Sequence, residues 1–176
     1  HIADPEPRRA FAALAAQFFT PVPDHIVAVT GTNGKTSVAS FVRQIFTALG
    51  RRAANFGTVG VEGAVTMPLT HTTPEPITLH RLLGELALEG VTHAAMEASS
   101  HGLAQSRLDG VALTAGALPN VTRDPLDYHA TAEDYLNAKL RLFRDLLPDG
   151  APAVLNADDS SLAAACEAAK RLEVIP

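Results

Sequence analysis

Ile26-Val27-Ala28-Val29-Thr30-Gly31-Thr32-Asn33-Gly34-Lys35-Thr36 is the stretch from which the rest of the chain is read. A short apolar run enters a turn with two glycines. Beyond it Phe41, Val42, Ile45, Phe46 and Leu49 recur at helical spacing until Gly50. The pattern predicts strand, glycine-rich turn and helix, with Gly50 as the stop. Phosphate oxygens need several donors converging at close range, and Gly31 and Gly34 let backbone N–H groups face an anion at a helix N-terminus. Lys35 can then neutralise the distal phosphates, and the Thr36 hydroxyl can ligate Mg²⁺. The strict eight-residue phosphate-loop pattern has a further glycine five places before Gly34, where this chain has Val29. The Gly-Lys-Thr end nonetheless matches, and the flanking strand and helix favour a phosphate loop over an ordinary turn with an exposed lysine.

Working outward, residues 4–19 read as a helix, with Asp4 as cap, Pro5 in the first turn, and Phe11, Leu14 and Phe18 at helical spacing. Residues 52–69 read as strands or a hairpin with a turn at Gly63. Residues 71–76 read as a loop because of Pro74 and Pro76, and Ile77 to Glu89 as a helix closed by Gly90. Thr92 to Glu97 is a predicted strand, 98–102 a polar loop, Val111 to Ala117 a strand and 120–129 a loop. Ala132 to Leu147 is a predicted helix, Ala153 to Leu155 a strand and Ser161 to Leu172 a helix. This alternation predicts an α/β fold with a largely parallel sheet and helices on both faces.

The chain has 176 residues, enough to bury one sizeable core, and no internal domain boundary is evident. Hydrophobic residues are 47% and charged ones 19%, which places it with globular rather than disordered chains. No apolar run approaches the roughly 18 residues of a membrane span, so no membrane partner is expected. The lone cysteine, Cys166, allows no internal disulfide, which agrees with a cytoplasmic location. A net charge of -5 speaks against a broad nucleic-acid surface while leaving room for one concentrated anion site. The start at His1 and the absence of a secretory segment lead us to expect a piece of a longer polypeptide.

Glu97 ends an apolar strand, where a carboxylate is awkward unless it meets a cation or partner. Strand C-termini of an open parallel sheet form the ligand crevice, so Glu97 and the phosphate loop should share one edge. That makes Glu97 a Mg²⁺-ligand candidate, with a merely solvated carboxylate as the equal alternative. The seven histidines form no zinc pattern. His101 follows Ser99-Ser100, but no nucleophile elbow surrounds it, which argues against a hydrolase. On its neighbours alone, Lys139 reads as a lysine snorkelling from a helix face, and Cys166 as a small core residue.

Together these segments resemble the central, ATP-binding domain of the Mur ligase family, of the MurE type. The resemblance spans nearly the whole chain. It rests on Asp4-Pro5 through the Arg8-Arg9 helix, Thr30 to Thr36, Thr72-Thr73-Pro74, Met96-Glu97-Ala98-Ser99-Ser100-His101-Gly102-Leu103 with Gln105 and Arg107, Asn120-Val121-Thr122-Arg123-Asp124, Leu126-Asp127-Tyr128-His129, Tyr135 with Ala138-Lys139, and Leu155-Asn156-Ala157-Asp158-Asp159. Folylpolyglutamate synthases match less well, since they have Gly-Lys-Gly where Gly34-Lys35-Thr36 stands.

The resemblance implies an ATP-dependent, amide-forming ligase acting in peptidoglycan synthesis. Such enzymes phosphorylate the carboxylate of UDP-N-acetylmuramoyl-L-Ala-D-Glu and let the amine of diaminopimelate or lysine displace phosphate. Gly31, Thr32, Asn33, Gly34, Lys35 and Thr36 would then bind ATP, with Asn156 near the adenine. Thr36 and Glu97 would serve Mg²⁺, joined by Lys139 as a CO2-derived carbamate. Thr72, Thr73, Ser99, Gln105 and Arg107 would contact the muramoyl dipeptide. Lys35 and Lys139 are thus the expected catalytic residues. Family members also carry an N-terminal domain for the UDP moiety and a C-terminal domain that selects the amino acid, so 176 residues are expected to be the middle domain alone and inactive in isolation.

Two departures stand out. The family has Asp-His-Leu-Asp where this chain reads Asp124-Pro125-Leu126-Asp127, and Phe-Thr-Asn where it reads Leu118-Pro119-Asn120. Proline supplies neither a side-chain ligand nor an N–H. Reshaping of this loop and loss of a second Mg²⁺ site are therefore expected, and the alternative function is a catalytically dead or engineered binding module.

Overall fold

The structure, a computed structural model, describes residues 3–122 and 128–176. Its elements are α1 (Pro7–Phe18), β1 (His25–Val29), α2 (Lys35–Ala48), β2 (Ala53–Gly57), β3 (Gly60–Gly63), α3 (Pro76–Leu88), β4 (His93–Glu97), α4 (Ser100–Ala104), β5 (Ala115–Leu118), α5 (Ala132–Arg141), β6 (Pro152–Leu155), α6 (Leu162–Ala168) and β7 (Glu173–Ile175). The strands form one sheet in the order β3-β2-β4-β1-β5-β6-β7. Every neighbouring pair is parallel except the β2–β3 hairpin. In β1–β4 register Val29 stands beside Glu97, so the glycine-rich turn and the carboxylate leave the sheet at the same edge.

Strand alternation explains the two covered faces. Ile26 and Ala28 of β1 and Ala94 and Met96 of β4 point into the larger core beneath α3 and α5. Val29 and Ala95 point the other way, against Ala39, Val38 and Val42 of α2. The predicted helical spacings hold, yet most of the large apolar residues that carry them are exposed. Phe41 and Ile45 of α2, Leu49 at its C-cap, and Phe11, Leu14 and Phe18 of α1 face outward, while α2 buries chiefly the small Ala39. Small residues let the helix lie close to the sheet, which periodicity cannot reveal.

Several boundaries differ from the sequence reading. Asp4 does not cap α1; its carboxylate accepts from Glu6 N at 2.7 Å in a turn before the helix. The hairpin turns at Thr58-Val59, and Gly63 instead pairs with Ala54. The expected loop 98–102 contains the start of α4, whose cap is Ser99, with Gly102 N donating to Ser99 Oγ at 3.0 Å. The long helix expected over 132–147 is α only to Arg141 and continues as a π turn over Leu142–Leu146, closed by Leu147 N donating to the Leu142 carbonyl at 3.1 Å. The strand expected over 111–117 begins later, at Ala115. The last helix, expected over 161–172, is shorter, and β7 after it was not anticipated. A three-residue strand carries too little pattern to be read from sequence.

Candidate functional site

The phosphate-type loop is shaped by two glycines. Gly34 caps α2 at φ +84°, a left-handed conformation that an L side chain resists. At Gly31, with φ +137°, a Cβ would press within 3.0 Å of the Asn120 carbonyl oxygen. Lys35 folds back over the loop, its Nζ donating to the Gly31 and Thr32 carbonyls at 3.0 Å each. Lys139, reaching in from α5, is 1% exposed and donates to the same Gly31 carbonyl at 2.7 Å. Its Nζ also lies 4.2 Å from the centroid of the Tyr135 ring. The snorkelling expected from its neighbours is therefore wrong. The side chain points along the core toward the loop, and two ammonium groups share one carbonyl at the start of a helix.

Glu97 is 2% exposed and hydrogen-bonded, so the solvated alternative also fails. Its Oε1 accepts from Thr36 Oγ1 at 2.9 Å and Thr58 N at 2.8 Å, and its Oε2 accepts from Thr58 Oγ1 at 3.2 Å. Thr58 Oγ1 in turn lies 3.0 Å from Thr72 Oγ1. Sequence reading missed Thr58, whose only signal was its place in a predicted hairpin. It missed Gly57 as well, where a Cβ would overlap the Glu97 carboxylate. Thr32, Asn33, Gly34, Lys35, Thr36, Thr58, Thr72, Glu97, Ser99, Ser100 and Lys139 together line a cavity of about 320 Å³.

The remaining expected residues fall around this cavity in different ways. Thr73 is buried, donating to the Glu97 carbonyl at 2.9 Å and accepting from Ser99 N at 3.0 Å. It positions the end of β4 instead of offering a surface. Arg107 donates to the Thr73 carbonyl at 2.7 Å and, from Nε and Nη2, to Gln105 Oε1 at 3.0 and 2.8 Å. Gln105 Nε2 lies 2.7 Å from His101 Nε2, and the His101 ring stacks on Tyr128 at 3.9 Å between centroids. Burial, together with the Arg107 charge and His129 and His71, holds the His101 imidazole below its ordinary pKa. Asn156 is exposed, its Nδ2 donating to the Pro119 carbonyl at 2.8 Å. It lines a separate, mostly apolar cavity of about 460 Å³ with Val38, Leu118, Pro119, Val154 and Ala157.

Pro119 directly follows β5, and Leu118 keeps its parallel register with Leu155. Missing an N–H costs the sheet nothing there. Pro125, with the rest of 123–127 including Asp124 and Asp127, lies outside the described residues, as does His1.

Among the described residues no group of three or more His, Cys, Asp or Glu side chains could hold a metal by itself. Thr36 Oγ1 and Glu97 Oε1, in mutual contact, are nevertheless hard oxygen donors beside an anion-type loop. Mg²⁺ suits such a site because it retains waters and takes few protein ligands alongside substrate phosphates. No helix among the described residues is long and apolar enough to cross a membrane.

Residues 29–175 match the Mur ligase middle domain model. A UDP-N-acetylmuramoyl-L-alanyl-D-glutamate--2,6-diaminopimelate ligase of Brucella melitensis biotype 1 is 60% identical over 165 residues, covering 93% of this chain and 34% of that protein. The same-named protein of Bradyrhizobium diazoefficiens is 56% identical over 170 residues, covering 96% and 35%. A solved structure of a UDP-N-acetylmuramoyl-L-alanyl-D-glutamate--2,6-diaminopimelate ligase superposes with a TM-score of 0.86 at 32% identity, covering 99% of this chain and 37% of that one. The chain thus spans about a third of the length of the curated relatives it matches. With the family model reaching from the last residue of β1 into β7, and with a relative's fold reproduced along almost the whole chain, this protein belongs to the Mur ligase family, of which it carries the middle domain.

Proposed function

We propose that residues 1–176 are the ATP-binding middle domain of a cytoplasmic ligase that joins diaminopimelate to UDP-N-acetylmuramoyl-L-alanyl-D-glutamate in peptidoglycan synthesis. The observation that carries the reading is the convergence of Lys35, Thr36, Glu97 and Lys139 on one cavity at the start of α2. The start of α2 and Lys35 hold the triphosphate. The apolar cavity beside Asn156 takes the adenine. Thr72, Ser99, Gln105 and Arg107 face the muramoyl dipeptide, with Thr73 holding the Ser99 N–H and the Arg107 guanidinium. Diaminopimelate is preferred to lysine because the relatives of 50–60% identity carry it in their names.

Mg²⁺ would supply charge neutralisation at the triphosphate, and Thr36 and Glu97 are the residues that would hold it. The substrate carboxylate attacks the γ-phosphorus and ADP leaves. The amine of the incoming amino acid then attacks the acyl carbon, and inorganic phosphate leaves as the amide forms. Both steps press anions together, so positioning and fixed positive charge carry most of the catalysis. Loss of one proton from the Lys139 ammonium gives an amine that adds to CO2 with loss of a second proton, exchanging a cation for a carboxylate-like anion that would help to hold Mg²⁺. The longer parent polypeptide supplies an N-terminal domain for the UDP end and a C-terminal domain for the amino acid, so the 176-residue chain alone binds nucleotide without completing ligation.

Calorimetric titration of Mg-ATP into this chain and into Lys35→Ala tests the site. Binding that is lost in the variant is expected. Equal binding by both, or none by either up to millimolar nucleotide, would overturn the assignment.

A further inference from the structure

We infer that Asn120 is the positioning residue of the phosphate loop, aiming both the Lys35 ammonium and the Gly34 N–H through a reciprocal amide clamp. Asn33 N donates to Asn120 Oδ1 at 2.9 Å, and Asn120 Nδ2 donates back to the Asn33 carbonyl at 3.0 Å. One side chain thus satisfies both backbone groups of one loop residue, as a neighbouring strand would. The Asn120 backbone adds a third bond, its carbonyl accepting from Thr32 N at 3.0 Å.

Peptide planarity turns this clamp into an aiming device. In a trans peptide the C=O and N–H point in opposite directions. The plane joining residues 32 and 33 gives its N–H to Asn120, so its carbonyl, that of Thr32, points the other way, where it accepts from Lys35 Nζ at 3.0 Å. The plane joining 33 and 34 gives its carbonyl to Asn120, so the Gly34 N–H points away from Asn120, at the N-cap of α2 beside the cavity that Gly34 lines. Asn33 N–H is consumed by the clamp, and anion binding falls to the groups that follow it.

The segment carrying Asn120 is itself fixed. Thr122 N donates to Thr32 Oγ1 at 3.0 Å, and Tyr135 OH donates to the same oxygen at 3.1 Å. On the other side Val121 N donates to Asp159 Oδ2 at 2.8 Å, and Asn156 Nδ2 to the Pro119 carbonyl at 2.8 Å. Residues 119–122 therefore form a strut between the phosphate loop and the segment at the apolar cavity.

The consequence for nucleotide rests on the ATP-binding reading above; the clamp itself does not. Amide hydrogen exchange on the unliganded chain comes first. Asn33 N–H should be protected in the wild type and lose at least about tenfold of that protection in Asn120→Ala, while the amides of β1 and β4 keep theirs. Thr122→Val, which removes only a 3.5 Å contact from Asn33 Nδ2, should leave Asn33 protected. An unprotected Asn33 amide in the wild type, or unchanged protection in Asn120→Ala, would overturn the clamp, whether or not the chain binds ATP. The second measurement is affinity. Asn120→Ala should weaken Mg-ATP roughly tenfold, about 1.4 kcal/mol, and leave adenosine unchanged. Equal loss for both ligands would show a general structural defect and sink the positioning role. Absence of Mg-ATP binding in the wild type would count against the nucleotide reading alone, with exchange still deciding the clamp.

Discussion

A carboxylate that is 2% exposed must have its oxygens satisfied, and Glu97 meets that demand through Thr36 and Thr58. The room for it comes from Gly57. Gly57→Ala should displace the carboxylate, cost about 1–3 kcal/mol in urea unfolding by overpacking, and weaken Mg-ATP together with the fold; unchanged stability and affinity would refute the close fit. Glu97→Gln is the complementary test, since it keeps the shape and an acceptor for Thr58 N but drops the charge. Its ATP affinity should no longer improve when Mg²⁺ is added, a ratio that calorimetry with and without the metal reads directly. Glu97 and Lys35 were legible as candidates because charged residues next to apolar strands and glycine turns need a reason. Thr58 and Asn120 act through geometry that joins distant segments, 39 residues from Glu97 in one case and 87 from Asn33 in the other, and composition carries no trace of it.

Short elements owe their existence to caps and partners. α4 has five residues, too few to hold together unaided. Its Ser99 cap and the packing of Gly102 on Thr73 keep it in place, and Gln105 and Arg107 follow directly from its end. Ser99→Ala should cost about 1 kcal/mol in urea unfolding, with faster amide exchange confined to residues 100–107. A larger tie joins α5 to the same region. Arg141 donates to the Leu103 carbonyl and, through Nη2, to Asp109 Oδ1 and Oδ2 at 3.1 and 3.2 Å. Burial nonetheless outweighs Arg141 and Arg9 and raises the Asp109 pKa above its ordinary value. Arg141→Met leaves that buried carboxylate with only the exposed Arg9, whose Nε is 3.5 Å from Asp109 Oδ1, and should destabilise by roughly 3 kcal/mol, the lower end for a broken buried pair; Asp109→Asn added to it should restore part of the loss. Sequence spacing gave α5 its start and its apolar face, but the π turn after Arg141 depends on how Leu142 and Phe143 pack into the core beneath β5.

At the scale of the molecule, four histidines among the described residues are held below the ordinary 6.5. Burial is the first cause for His80, His93, His101 and His129. Below 6.5 the unfolded chain takes up protons that the folded chain does not, so stability present above that pH is lost as pH falls toward the depressed values. Asp109 works oppositely: its raised folded value makes the native state the better proton binder as pH falls toward 3.8. The urea midpoint should therefore drop between pH 7 and 5.5, and His80→Leu should flatten that slope, since His80 is the most buried of the four. A midpoint independent of pH over that range would contradict the histidine burial seen here. The alternation of strand and helix, the glycine-rich turn at the head of α2 and the blocks that mark a Mur ligase middle domain were all legible along the chain, because these are local patterns set by side-chain period and backbone freedom. Folding in three dimensions was needed to show which apolar faces are buried, that Lys139 reaches Gly31 and does not face solvent, and that Glu97 rests on Thr58 and Asn33 on Asn120. Those outcomes depend on strand order and on close approach between segments far apart in the chain, and neither is written in local periodicity.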